Sequence, residues 1–177
     1  DIGLLEYATT KWPDMPRHLS VQGSATSATS LAFYKRHFDI QRAVLPRVLD
    51  LYQVEALIKE TDIEIEIFGF GSLCIMVEGR CLLSSYLTGE SPNTHGACSP
   101  AKFVRWEQSN NQLECRLNGH LLDRYDHNEP AAYPTICKGR YYANGTLTHA
   151  LEKPTSLNTM SILPQLYKSG VSAIKIE

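Results

Sequence analysis

The sequence predicts an α/β fold of parallel strand–helix units interrupted by a long cysteine-bearing insertion, and three observations carry that expectation. From His18 to Phe68, strand-like pieces alternate with helical pieces of about ten residues, the pattern of βαβ units. In Ile63-Glu64-Ile65-Glu66-Ile67 the isoleucines share one face and the glutamates the other. The alternation stops at Gly69 and resumes near Pro154, and all five cysteines fall in that interval.

Taken in order, His18 to Gln22 reads as a strand. Thr26 to His37 reads as a helix packing Leu31, Phe33 and Tyr34, with Ser24 or Thr26 as its cap. Arg42 to Pro46 is the next strand. Asp50 caps a helix over Leu51 to Glu60 with Tyr52, Val54, Ala56, Leu57 and Ile58 on its packing face, and Ile63 to Phe68 forms the third strand. Within the insertion, Tyr141 to Thr148 reads as a hairpin, because Asn144-Gly145 accepts the positive φ angles of a tight turn. Thr155 or Ser156 then caps a helix running to about Lys168, Gly170 ends it, and Val171 to Glu177 is a strand on which Lys175 and Glu177 share a face. The organisation expected is one domain fragment over 1–177, with βα units at 1–68 and 154–177 and an insertion at 69–153. Removing the insertion leaves about four strand–helix units, roughly half of a typical (β/α)8 barrel. In such a barrel the isoleucines meet the outer helices and the glutamates line a polar interior; in a two-layer sheet the glutamates face solvent. The first residue, Asp1, and the strand-like Ile174-Lys175-Ile176-Glu177 at the other end give the chain the look of an excised piece.

Composition bounds the function. A hydrophobic fraction of 43% with 20% charged residues suits a soluble globular protein. The longest nearly apolar run, Ile67 to Val77, falls short of the ~20 residues a membrane span needs, and no signal-like segment is read, so a cytoplasmic protein is expected. A formal charge of -2 supplies no general basic surface for nucleic acid, which is therefore not the expected partner.

The cysteines bear the chemistry. Cys74, Cys81, Cys98 and Cys137 sit in glycine-rich or turn-like contexts, with six, sixteen and thirty-eight residues between them. Small neighbours let backbone amides reach the sulfurs, which suits a metal centre. The intervals match no ferredoxin run and no zinc ribbon, so zinc, an iron–sulfur cluster and buried free thiols all stay open on spacing alone. Cys115, in Leu113-Glu114-Cys115-Arg116, lacks the glycine context and is set apart.

The segment Glu66 to Ser84 resembles the signature of family 32 of the unassigned peptidases, the collagenase-like protease family, at Glu66, Phe68, Gly71, Ser72, Leu73, Cys74, Gly79, Cys81, Leu83 and Ser84. His18 to Gln22, Val44 to Arg47, Tyr86 to Asn93, Cys137 to Arg140 and Pro154 to Thr159 extend the resemblance, toward the ubiquinone-biosynthesis members of that family. The resemblance implies a TIM-like barrel and a 4Fe-4S cluster on Cys74, Cys81, Cys98 and Cys137. It further implies oxygen-independent hydroxylation of the aromatic ring of ubiquinone precursors in a heterodimer with a UbiV-like partner, with prephenate as oxygen donor. Other relatives hydroxylate RNA bases. Peptidase chemistry finds little support, since the chain has no His-Glu-x-x-His motif and no Gly-x-Ser-x-Gly elbow.

For a substrate of this kind the candidate residues are Gln22, Arg47, Glu66, Arg80 and Arg140. The arginines offer bidentate donors to a carboxylate. Gln22, Arg47 and Glu66 are placed at or near strand ends, where barrel sites lie. The plain alternatives are charge balance for anionic thiolates at Arg80 and Arg140, surface solvation, and interior hydrogen bonding for Gln22 and Glu66.

Overall fold

The computed structural model describes residues 1–77 and 80–177; Gly79 of the family signature lies outside the described residues. In chain order the elements are α1 (Ile2–Lys11), β1 (His18–Leu19), α2 (Ala28–Phe38), β2 (Arg42–Val44), α3 (Leu51–Glu60) and β3 (Glu64–Ser72). There follow α4 (Leu82–Thr88), α5 (Pro92–His95), β4 (Val104–Ser109), β5 (Gln112–Leu117), β6 (His120–Tyr125), β7 (Tyr141–Ala143) and β8 (Thr146–Thr148). The chain closes with β9 (Ser156–Asn158), α6 (Leu163–Ser169) and β10 (Ala173–Ile176). They form two compact units, Asp1–Cys74 with Ser156–Glu177, and Ile75–Thr155.

The first unit is mixed α/β. Strands β1, β2, β3 and β10 run parallel in that order, and β9 pairs antiparallel with the end of β3, giving a five-stranded sheet that is open and not closed into a barrel. Ile63, Ile65 and Ile67 pack against Leu31 and Phe38 of α2, Val54 and Leu57 of α3, and Leu166 of α6. Each such buried side chain is worth roughly 1.5–3 kcal/mol. On the other face Arg42 pairs with Glu64 at 2.6 Å and reaches Glu66 at 3.7 Å. The strand alternation thus sorts helices to one side and charge to the other.

Several boundaries differ from the sequence expectation for local reasons. β1 stops at Leu19 because the Ser20 side chain accepts from the Gln22 N–H and starts a 3-10 turn, so Gln22 lies on a turn and not in a strand. The cap of α2 is Ser27, which exchanges hydrogen bonds with Ser30; Ser24 instead takes the left-handed conformation that closes the preceding turn. Asp50 caps α3 as expected, with Gln53 reciprocating. β3 runs on past Phe68 to Ser72, since β9 and β10 both pair with its second half. Its glycines make that pairing possible: a Cβ at Gly69 would lie 2.2 Å from Ile174 Cγ2, and one at Gly71, where φ is +126°, 1.8 Å from the Glu177 carbonyl oxygen. The helix expected from Thr155 begins only at Leu163, where Pro164 suits a first turn, because Ser156–Asn158 is taken up as β9. Gly170 ends α6 in the left-handed region as expected. α1 was not foreseen; Asp1 caps it by accepting from the Leu4 N–H at 3.0 Å.

The second unit contains the antiparallel meander β4–β5–β6 and the hairpin β7–β8. Asn144 and Gly145 both have positive φ, as a tight hairpin turn requires. Cys115, Leu117, Leu122 and Tyr125 are buried in the meander. Among the described residues no helix is long and apolar enough to cross a membrane.

Candidate cysteine centre and strand-end cavity

In the second unit, the segments that carry Cys81, Cys98 and Cys137 are stitched together by hydrogen bonds. Cys81 is the N-cap of α4, and its Sγ accepts from the Ser84 backbone N–H at 3.4 Å, the place a serine or aspartate oxygen ordinarily fills. The Ser84 side chain is buried, and its hydroxyl donates to the Cys98 carbonyl. The next residue, Ser99, donates its hydroxyl to the Pro134 carbonyl and its N–H to the Tyr133 hydroxyl at 3.3 Å. That fastens the Cys98 loop to the strand of chain that leads into Cys137. Cys137 sits in a 3-10 turn, Ile136–Lys138, packed against α4. Its carbonyl accepts from the Glu152 N–H at 3.0 Å.

Burial pushes the Cys137 thiol above its ordinary range; Thr135 and Lys138 oppose the shift, and Glu152 and Cys81 add to it. Tyr141, whose hydroxyl donates to the Ile136 carbonyl at 2.7 Å, is pushed up to about 12 by burial and then by Cys137 and Asp123. Gly139 is required here, since a Cβ would lie 2.5 Å from the Leu122 carbonyl oxygen and 2.6 Å from the Tyr141 hydroxyl.

Cys74 belongs to the first unit, two residues beyond the end of β3, and is half-buried. Cys115 is buried in β5, where desolvation and then the Asp123 carboxylate raise its thiol to about 11. No disulfide joins the cysteines.

Cys74, Cys81 and Cys137 are partly buried and Cys98 is exposed, and an amide is directed at the Cys81 sulfur; thiols of this kind are donors suited to a soft metal. Among the described residues no three Cys, His, Asp or Glu side chains converge on a common point.

The substrate candidates separate. Because β1, β2, β3 and β10 are parallel, Gln22, Arg47, Cys74 and Glu177 all follow the carboxyl ends of their strands. Glu66 lies mid-strand, opposite Val44 and Ala173. Arg47 lies 3.6 Å over the Phe68 ring and pairs with Glu177, its own side chain 8% exposed. It lines an apolar cavity of about 190 Å³ with Pro46, Phe68, Leu73, Leu157 and Thr159 among its walls. In the second unit Arg80 is exposed, and Arg140 is committed to Asp123 at 2.5 Å and Glu129 at 2.8 Å. Sequence reasoning missed the cavity, because Leu157 and Thr159 were assigned to a helix, and missed Phe68 as the platform beneath Arg47.

The model of peptidase family U32 matches residues 1–177. The chain belongs to peptidase family U32. Among U32 relatives, it is 35% identical to the tRNA hydroxylation protein P of Escherichia coli over 71% of this chain and 27% of that protein. It is 27% identical to the tRNA hydroxylation protein P1 of Bacillus subtilis over 93% of this chain and 33% of the relative. With the 23S rRNA 5-hydroxycytidine C2501 synthase of Escherichia coli it shares 31% identity, over 74% and 19% of the two chains. The U32 chain therefore spans about a fifth to a third of the length of these curated relatives. No solved structure matches it.

Proposed function

We propose that this U32 chain is the cluster-bearing part of an oxygen-independent hydroxylation protein, with Cys74, Cys81, Cys98 and Cys137 as the ligands of a 4Fe-4S cluster. The observation that carries the reading is the Ser84–Cys98 and Ser99–Pro134 bonding that ties three of the four thiol-bearing segments together in one unit. A cluster bound there supplies electron transfer, and four thiolates leave it no open position for substrate. The chain's own contribution is to tie the Cys81, Cys98 and Cys137 segments together, to direct the Ser84 amide at Cys81, and to keep Cys115 apart in β5. The open parallel sheet is, on this reading, part of a TIM-like barrel whose substrate end is the carboxyl end of its strands.

The finer reading is ubiquinone biosynthesis: a UbiU-type subunit that hydroxylates the ring of a ubiquinone precursor with a UbiV-like partner, prephenate supplying the oxygen. The apolar cavity beside Arg47 supports a small ring substrate. A second reading, hydroxylation of an RNA base, is favoured by what the relatives' names say they act on. Deleting the gene and growing the cells without oxygen separates the two. Accumulation of an unhydroxylated quinone precursor with unchanged RNA nucleosides supports the first; loss of a hydroxylated nucleoside with normal quinone supports the second.

A further inference from the structure

In the second unit, residues 149–152 are fastened across the Cys137 turn at two consecutive carbonyls. Glu152 donates its backbone N–H to the Cys137 carbonyl at 3.0 Å, and His149 Nδ1 donates to the Lys138 carbonyl at 3.0 Å. A carbonyl only accepts, so Nδ1 carries the proton of that bond. The two bonds anchor the root of the Glu152 side chain beside the turn that carries the sulfur.

The carboxylate of Glu152 is placed unusually. The residue is half-buried, and its Oε2 is shielded from water while accepting no hydrogen bond. Burying a carboxylate oxygen without a donor is costly, so an orphan of this kind calls for an explanation in what it does. Its charge is felt at the neighbouring thiol. Burial is the first cause that raises Cys137; Thr135 and Lys138 pull the thiol down, and Glu152 adds to the rise. A negative charge that disfavours a thiolate at this sulfur disfavours, by the same Coulombic repulsion, an electron added to a metal centre that the sulfur holds.

We propose that the Glu152 carboxylate keeps low the reduction potential of the cluster held by Cys137, and that Lys138 acts on the same sulfur in the opposite sense. The inference rests on the cluster reading given under Proposed function. The event concerned is the uptake of one electron from an added reductant; no bond forms or breaks and no proton moves. A lower potential makes the reduced protein a stronger electron donor.

The test is a potentiometric titration of the full-length, anaerobically purified protein with dithionite, followed by electron paramagnetic resonance of the reduced state, with iron and sulfide counted on the same samples. Glu152→Gln keeps the backbone bond to Cys137 and removes the charge. It raises the potential, moving the reduction equilibrium roughly tenfold toward the reduced form, which is about 59 mV for one electron. Glu152→Asp keeps the charge and stays close to wild type, whereas Lys138→Gln moves the equilibrium the other way. An unmoved or lowered potential in Glu152→Gln overturns the proposal. It is overturned equally by Glu152→Asp behaving as Glu152→Gln does, since charge would then not be what matters, and by loss of iron in Glu152→Gln, which would make the residue a requirement for assembly. An unmoved potential in Lys138→Gln overturns the opposing role of that lysine. An iron-loaded wild type whose potential ignores Glu152 removes this inference alone; a wild type without iron removes the cluster reading and this inference with it.

Discussion

The Ser84 backbone N–H donates to the Cys81 sulfur at 3.4 Å, while the Ser84 hydroxyl donates to the carbonyl of Cys98, so one buried residue serves two of the cysteine segments. The first bond caps a helix and the second pins a loop. Ser84→Ala keeps the amide and loses the hydroxyl. The expected cost is about 1 kcal/mol of stability, with reduced iron retention, because the Cys98 loop is released while Cys81 stays capped. Thermal melts and iron analysis of the full-length variant check this; unchanged iron with an unchanged melt would remove Ser84 from the centre.

Cys115 is the thiol left out of the proposed centre. With its thiol raised from 9.0 to about 11 by burial and by Asp123, it is almost wholly protonated at neutral pH. It should resist alkylation at pH 8 in the folded protein and react on unfolding. The linkage has a definite sign: the folded state keeps a proton that the unfolded state has lost, so this contribution to stability is present below pH 9 and lost as the pH rises from 9 to about 11. Cys115→Ala should flatten that limb of the pH–stability curve.

Gly71→Ala should be among the most damaging single changes in the first unit. It places a Cβ 1.8 Å from the Glu177 carbonyl oxygen at a φ of +126°, a combined clash and strain worth about 3 kcal/mol or more. Denaturant unfolding of the full-length protein measures it. A cost below 1 kcal/mol would mean that β10 yields at little expense.

Arg140 was a substrate candidate in the sequence, and its geometry gives it a structural occupation. It bridges Asp123 and Glu129 and lies 5.4 Å from the centre of the Tyr125 ring. Arg140→Gln leaves the nearly buried Asp123 carboxylate short of its partner and should cost about 2 kcal/mol or more.

Much of the secondary structure was legible because its signals are local. The Ile63–Ile67 alternation, the Asp50 cap and the Asn144-Gly145 turn each depend on a few adjacent residues, and each is found as read. What was not legible depends on partners distant in sequence. β3 extends to Ser72 only because Ser156–Asn158 and Ala173–Ile176 come to pair with it, and the same pairing took Ser156 away from the helix it was expected to cap. The candidate site divides the same way. The four cysteines stood out by their glycine contexts, but the serines that tie the Cys81, Cys98 and Cys137 segments together and the Phe68 platform under Arg47 are tertiary relationships that no spacing announces.

The most direct test of the central claim is anaerobic iron and acid-labile sulfide analysis, with visible and electron paramagnetic resonance spectra, on the full-length protein and its single Cys→Ala variants at 74, 81, 98, 115 and 137. The account predicts about four irons and four sulfides per chain, lost in every variant except Cys115→Ala. No iron in the wild type, zinc in its place, or loss of the cluster on replacing Cys115 would contradict it.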